Sequence, residues 1–222
     1  DNEAYCQWLA QGAGLPAANT EVTTFGSVRV LMSERYDRER QDDGLIRRVH
    51  QEDACQALSI DPKRKYQTAD GGPSLKALAR QISVHGGEVD ALLRMATFTV
   101  IIGNADWHGK NVSVLFDDDD SLSIAPIYDA MSTRLYEKTA TGAEVVRTLG
   151  MHIGGQTDVD AVRLRHLVDE GRSWGMSPGR AQRIVTETIE RVRSALDMVP
   201  APIDDLKRLV ARRIDTVATD PA

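Results

Sequence analysis

Residues 88–103 form the stretch that most restricts what this chain can become. Leu92, Leu93, Met95, Phe98, Val100, Ile101 and Ile102 wrap almost the whole circumference of a helix there. A helix that is apolar all round has to be enclosed by other elements, so this one is predicted as the central core helix. It runs into Gly103 and a polar loop, Asn104 to Asn111, which the core helix must therefore hold in place.

The other elements follow from local signals. Residues 2–10 read as a short helix stopped by Gly12 and Gly14. Residues 21–24 and 28–32 are β-rich and separated by Phe25-Gly26-Ser27, which predicts a hairpin. The following charged piece, Ser33 to Arg38, reads by itself as a solvated strand end, and 40–44 as a polar loop. Residues 50–58 (HQEDACQAL) read as a helix with early acids, where Glu52 and Asp53 serve as caps or braces. A turn-rich stretch, 61–72, leads to Pro73 as the first turn of a helix over 74–82. Short strands are expected at 112–116 and 121–125, joined by the acidic tip 117–120. That tip lacks the spaced ligands and glycine of a calcium loop and reads as a solvated turn. A mixed loop covers 130–155, and a helix is expected over 158–170, ended by Gly171. Ser177-Pro178 opens a long amphipathic helix to Val199, followed by a last helix over 203–217. Charges alternating on the outer faces of those two helices read as solvated. Trp8 and Trp174 read as packing residues, and Trp107 as an exposed or substrate-facing loop aromatic. The resulting class is mainly α with small β-hairpins, an α+β chain.

Three polar residues in this frame can act together. Asp106 and Asn111 lie five apart on the loop after the core helix, and Asp129 closes the hairpin that follows. Asp-x-x-x-x-Asn, a hairpin and a second Asp is the order of parts in a kinase active site. Phosphoryl transfer asks mainly for placement of negative charge, and Mg²⁺ prefers a few hard protein oxygens plus phosphates and water. An Asn carbonyl and an Asp carboxylate supply the metal side, and a further carboxylate faces the attacking hydroxyl. An isolated loop Asp is ordinarily a turn or cap residue, and it is the company of Asn111 and Asp129 that lifts Asp106 above that reading. His108 has no second His or Cys nearby in sequence, which favours a hydrogen-bonding loop histidine over a metal ligand. Lys110, between Asp106 and Asn111, is placed to meet a phosphate or an acid.

Composition excludes several classes. Of 222 residues, 41% are apolar and 27% charged, so the chain can bury a sizeable core. A net charge of −6 argues against direct nucleic-acid binding. No apolar run reaches transmembrane length and no signal peptide is visible. Cys6 and Cys55 have no metal-ligand spacing and read as buried free thiols of a reducing compartment. The chain opens with Asp1 rather than Met, which points to an upstream segment removed or left out.

Several stretches, in order, resemble one family. They are DNEAYC (1–6), SERYDR (33–38), HQEDACQAL (50–58), KYQTADGGP (65–73), GNADWHGKN (103–111) and LSIAPIYD (122–129). Together they are similar to the HipA family of bacterial toxin serine/threonine kinases. The resemblance implies a kinase-like C-lobe in which Asp106 is the catalytic base and Asn111 and Asp129 bind Mg²⁺. His108 and Lys110 would lie near the phosphates of ATP. Glu34, Arg35 and Tyr36 would form the hinge that meets adenine, with Asp37 near the ribose, and Tyr128 would complete the nucleotide side. It also implies a HipB-like helix-turn-helix antitoxin as partner, DNA contact only through that antitoxin, and a protein substrate in the bacterial cytoplasm such as an aminoacyl-tRNA synthetase. The chain departs from the family in one respect. The Gly-rich loop and strand lysine of a kinase precede DNEAYC in the family, and no such loop occurs among these residues. On that basis residues 1–37 are expected to be a remnant of the upper lobe plus hinge, and 38–222 the C-terminal lobe, with weak or absent activity in isolation. A partner-docking module without phosphoryl transfer is the second reading. A metal-dependent hydrolase using Asp106, His108, Asn111 and Asp129 is the third.

Overall fold

The computed structural model describes residues 1–117, 121–138 and 140–219. The chain begins with helix α1 (Asn2–Gly12) and the hairpin β1 (Thr20–Phe25) and β2 (Val28–Ser33). A second hairpin follows, β3 (Arg38–Arg40) and β4 (Ile46–Arg48), then strand β5 (Gln51–Asp53) running directly into the single-turn α2 (Ala54–Ala57). Helices α3 (Leu75–Val84) and α4 (Asp90–Ile102) precede strands β6 (Ser113–Phe116) and β7 (Leu122–Ile124). The rest is β8 (Thr148–Ile153), β9 (Gln156–Asp158), α5 (Leu164–Ser173), α6 (Pro178–Met198) and α7 (Asp204–Ala218). All the sheets are small and antiparallel: β1-β2, β3-β4, β5-β6-β7 and β8-β9.

Helix α4 is the centre, as its composition predicts. Leu92, Leu93, Phe98, Ile101 and Ile102 have no exposed surface, and α5, α6 and α7 pack around them. Each such side chain contributes roughly 1.5–3 kcal/mol on leaving water. Helix α1 adds Tyr5 and Leu9 to the same core and lies against α6. Gly103 ends α4 in the left-handed region at φ 69°, where a Cβ would stand 2.8 Å from Arg134 Cγ. Glycine is what lets the chain leave the helix and turn at once into the polar loop.

Serine caps start two of the other helices. Ser74 and Ser177 accept hydrogen bonds from the backbone N–H of Ala77 and Arg180 and start α3 and α6. Pro73 thus precedes the cap rather than forming the first turn. Residues 50–58 are not one helix. Gln51, Glu52 and Asp53 pair with Leu115, Val114 and Ser113 in a strand, and only Ala54–Ala57 is helical. Asp53 is the cap, in a reciprocal pair with Gln56. Long-range pairing with β6 outweighs the local helical signal. The mixed loop expected over 130–155 contains β8, whose Leu149, Met151 and Ile153 are buried. The helix expected over 158–170 starts later, at Leu164. Gly171 does not stop it but lies inside it, where a Cβ would stand 2.9 Å from Leu93. The acidic tip falls largely on 118–120, outside the described residues. Cys6 and Cys55 are both buried free thiols. No helix among the described residues is long and apolar enough to cross a membrane.

Candidate active site

The loop after α4 is suspended from four distant segments. Ala105 N–H donates to Thr133 Oγ1 at 2.9 Å, and Thr133 Oγ1 donates to the Gly103 carbonyl at 3.0 Å. The Ala105 carbonyl accepts from Gly150 N–H on β8 at 2.8 Å. Gly109 N–H donates to the Lys65 carbonyl, and the Gly109 carbonyl accepts from Ala54 N–H, both at 2.9 Å. Gly150 is needed because β8 runs tight against the loop: a Cβ there would come within 2.6 Å of the Trp107 carbonyl oxygen. Trp107 itself is buried, 3% exposed, and its indole N–H donates to the Asn111 carbonyl at 3.3 Å. The exposed-aromatic expectation therefore fails at Trp107, because the ring fills the inside of the loop.

On this scaffold Asp106 points outward. Its backbone N–H donates to Asn104 Oδ1 at 3.1 Å, and its Oδ1 accepts a 2.7 Å hydrogen bond from Tyr66 Oη. Burial, together with the Asp106 carboxylate, pushes the Tyr66 phenol up to about 12, so it remains a donor at physiological pH. Asn111 is buried and donates from Nδ2 to Asp129 Oδ2 at 2.5 Å, joining the loop to the segment after β7. Asp129 is held at φ 51°, a left-handed conformation uncommon for a non-glycine residue. Neighbours on α1 hold it there. Gln7, with its amide nitrogen facing the Ile127 carbonyl at 3.0 Å, accepts from Asp129 N–H at 3.2 Å. Asn2 makes two 2.9 Å hydrogen bonds to the backbone of Ser132. Burial, with Asp129 next in weight, raises the pKa of Glu3 on the same helix. The Asn111–Asp129 corner is thus an acidic one, which fits a divalent cation.

His108 is buried between the two acids. Burial lowers its pKa most, and Lys65 lowers it further, while Asp106 and Asp129 pull the other way. Its Nε2 lies 2.7 Å from Lys65 Nζ, and Lys110 N–H approaches Nδ1 at 3.3 Å. A protonated ring has no lone pair for either donor, and a neutral ring accepts from one of them, so the imidazole that takes up such a contact is neutral. The ring-nitrogen contacts of His108 are thus to Lys65 and to the Lys110 backbone. The Lys110 side chain is exposed at the loop tip, while its carbonyl accepts from Tyr128 Oη at 2.8 Å. Tyr128 Oη also meets Ser113 Oγ at 2.6 Å.

Of residues 34–37, Tyr36 is the one brought to the site. Its ring centroid lies 6.1 Å from that of Tyr128. Glu34 stays on the exposed edge, tied to Asn19 through a 3.1 Å side-chain hydrogen bond. Asp37 is 5% exposed, with Arg35 bridging both carboxylate oxygens at 2.8 and 2.5 Å and Arg38 at 2.6 Å. Arg35, then Arg38, holds its carboxyl below the usual range. Its oxygens face arginines rather than open solvent. Sequence reasoning overlooked Lys65, Tyr66, Gln7 and Thr133. Tyr66 and Lys65 lie in the stretch KYQTADGGP, whose recurrence in a family pattern was their only sequence signal.

The model of the HipA-like C-terminal domain matches residues 1–196. A Sinorhizobium fredii protein, Y4mE, whose name marks it as a candidate kinase, is 34% identical over 93% of this chain and 48% of its own length. The serine/threonine-protein kinase toxin HipA of Shewanella oneidensis is 31% identical over 61% of this chain and 34% of its own. The chain therefore spans about half, or less, of these curated relatives. Among solved structures, the Shewanella oneidensis HipA, HipB and operator DNA complex has a chain that superposes with a TM-score of 0.76 at 25% identity, covering 97% of this chain and 53% of that one. The Helicobacter pylori proinflammatory kinase CtkA superposes at 0.53 with 14% identity, a likeness of fold alone.

Proposed function

This chain belongs to the family of HipA-like C-terminal domains, and on that premise we propose that it is the catalytic portion of a toxin-type serine/threonine protein kinase. The observation that carries the reading is the Asn111–Asp129 hydrogen bond beside an outward-facing Asp106 on the same pinned loop. In this reading Asp106 takes the proton of a Ser or Thr hydroxyl. The freed oxygen forms a bond to the γ-phosphorus of ATP, the bond to the β-phosphate bridging oxygen breaks, and ADP leaves. Tyr66 holds the Asp106 carboxylate in one orientation, which favours reaction through placement. With its Nδ2 committed to Asp129, Asn111 offers Oδ1, and Asp129 offers its carboxylate, as hard oxygens for Mg²⁺, which would neutralise phosphate charge. Lys110 and the neutral His108 line the phosphate side. Tyr36 and Tyr128 form the floor for adenine, with Glu34 and Arg35 at the hinge, and Asp37 braces that hinge through Arg35 and Arg38 rather than meeting ribose directly.

The phosphate loop and strand lysine are proposed to lie in a lobe upstream of these residues. Residues 1–37 would be its lower edge and 38–222 the C-terminal lobe. A HipB-like antitoxin is the proposed partner, bringing DNA only through itself. A cytoplasmic protein such as an aminoacyl-tRNA synthetase is the proposed substrate class. The test is phosphoryl transfer from labelled Mg-ATP by the same gene extended upstream. Asp106→Asn is expected to lower transfer about a thousandfold while leaving antitoxin binding intact. Equal transfer by the variant would refute the kinase assignment of Asp106. Docking without transfer in either form would favour a binding module.

A further inference from the structure

Beside Asp106, on the side facing Tyr66 and β8, lies a cleft of about 340 Å³ lined by Tyr66, Ala105, Asp106, Val146, Thr148 and Leu149, with Gln67 and Thr68 at its edge. It meets the catalytic constellation only at Asp106: neither Asn111, Asp129 nor any residue of 34–37 is among its lining residues. Its apolar lining comes from Ala105, Leu149 and Val146, the last 67% exposed. Tyr66, 42% exposed, also lines it while its hydroxyl holds the Asp106 carboxylate. An exposed valine and an exposed tyrosine that line one cleft with a buried leucine offer apolar surface that gains by being covered. Asp106 is the sole charged lining residue.

We propose that this cleft is the subsite that reads the residue flanking the acceptor Ser or Thr, and that it selects an aliphatic side chain such as Leu, Ile or Val. The inference rests on the kinase reading above and specifies its substrate class. The argument is one of continuity. An acceptor hydroxyl at Asp106 fixes where its polypeptide must run, and this cleft both contains Asp106 and extends from it. Side chains of neighbouring residues then fall between Tyr66 and Val146. An aliphatic group gains there by leaving water, whereas a carboxylate would be desolvated beside Asp106. A lysine or arginine would have Asp106 as its single counter-charge, at the cost of occupying the base.

The test uses this chain and short synthetic Ser peptides, labelled and read by fluorescence anisotropy, so that binding is scored without transfer. Peptides with Leu or Ile within two positions of the serine are expected to bind about tenfold more tightly than the same peptides carrying Asp or Lys there. Val146→Asp, on an exposed side chain, should invert the preference towards Lys, and Thr148→Lys should invert it towards Asp. A wild-type chain with no preference, or variants that keep the wild-type preference, would overturn the subsite. The kinase reading is scored separately in the upstream-extended protein. Transfer without flank selectivity sinks the subsite and leaves the kinase, whereas selective binding with no transfer sinks the kinase and leaves a peptide-binding cleft.

Discussion

The loop carrying Asp106 hangs from Ala54, Lys65, Thr133 and Gly150, four segments far apart in sequence. The strands between residues 20 and 48 pair only within their own hairpins, β1 with β2 and β3 with β4. The first region is enclosed by Trp107, Val112, Leu149 and Met151, while the second leaves Phe25, Val28, Met32, Leu45 and Ile46 exposed. The side of the site that would handle the hydroxyl is thus completed within the helical body. The side that would handle the nucleotide ends in two thinly packed hairpins with an uncovered apolar edge. Precision at a reacting centre requires side chains locked by packing and by further hydrogen bonds, and the first region has both.

The largest effect that tests this contrast is at Arg213. Its guanidinium donates to the Val100 carbonyl through Nε at 2.9 Å and Nη2 at 2.7 Å, to the Val159 carbonyl at 3.0 Å and to Asp160 at 2.7 Å. Arg213→Leu should cost about 3 kcal/mol and lower the melting temperature by roughly 6–12 °C, because buried acceptors lose a charged donor. Next is Gly150→Ala, which forces β8 away from Trp107. A loss of about 1–3 kcal/mol in urea unfolding is expected. If either substitution proved neutral, the rigid half of the comparison would fall.

A smaller effect comes from His108. Its folded pKa is depressed by burial, so the unfolded chain takes up a proton first as pH falls. The stability from the neutral ring is complete above the unfolded value of about 6.5 and declines as pH drops below it. Urea midpoints at pH 7.5 and 5.5 should differ, and His108→Gln should narrow the difference. The smallest effects belong to the hairpins. Phe25→Ser and Ile46→Ser in this chain should each change stability by no more than about 0.5 kcal/mol. Amide exchange there should be much faster than at Ala105 or Gly109. Losses as large as that of Gly150→Ala would show the hairpins to be as integral as the loop.

What could be read from the sequence follows the range of the forces involved. Helices α3 and α6 carry serine caps, α4 ends on Gly103, and these with α7 show their periodicity within a few residues, so they were legible to within a couple of residues. Strand β5 was not, because Glu52 and Asp53 ahead of Ala54 look like a helix start until β6 is beside them. Strand β8 was hidden because TLGMHI is a short apolar run broken by a glycine whose purpose lies across space, under Trp107. Arg213 is one more basic residue on an amphipathic helix until Asp160 and Val100 face it. The Asp106, Asn111 and Asp129 set was legible as an order of parts. Tyr66, which orients Asp106 from 40 residues away, was not.

The bonds from Arg213 to Val100 carry a consequence for how such a chain is made. Synthesis proceeds from the N-terminus, and α4 with its loop leaves the ribosome long before α7 does. Until residue 213 has emerged, the Val100 carbonyl in the last turn of α4 lacks the guanidinium donors that tether it. Completion of that turn therefore waits on a residue 113 positions further along the chain.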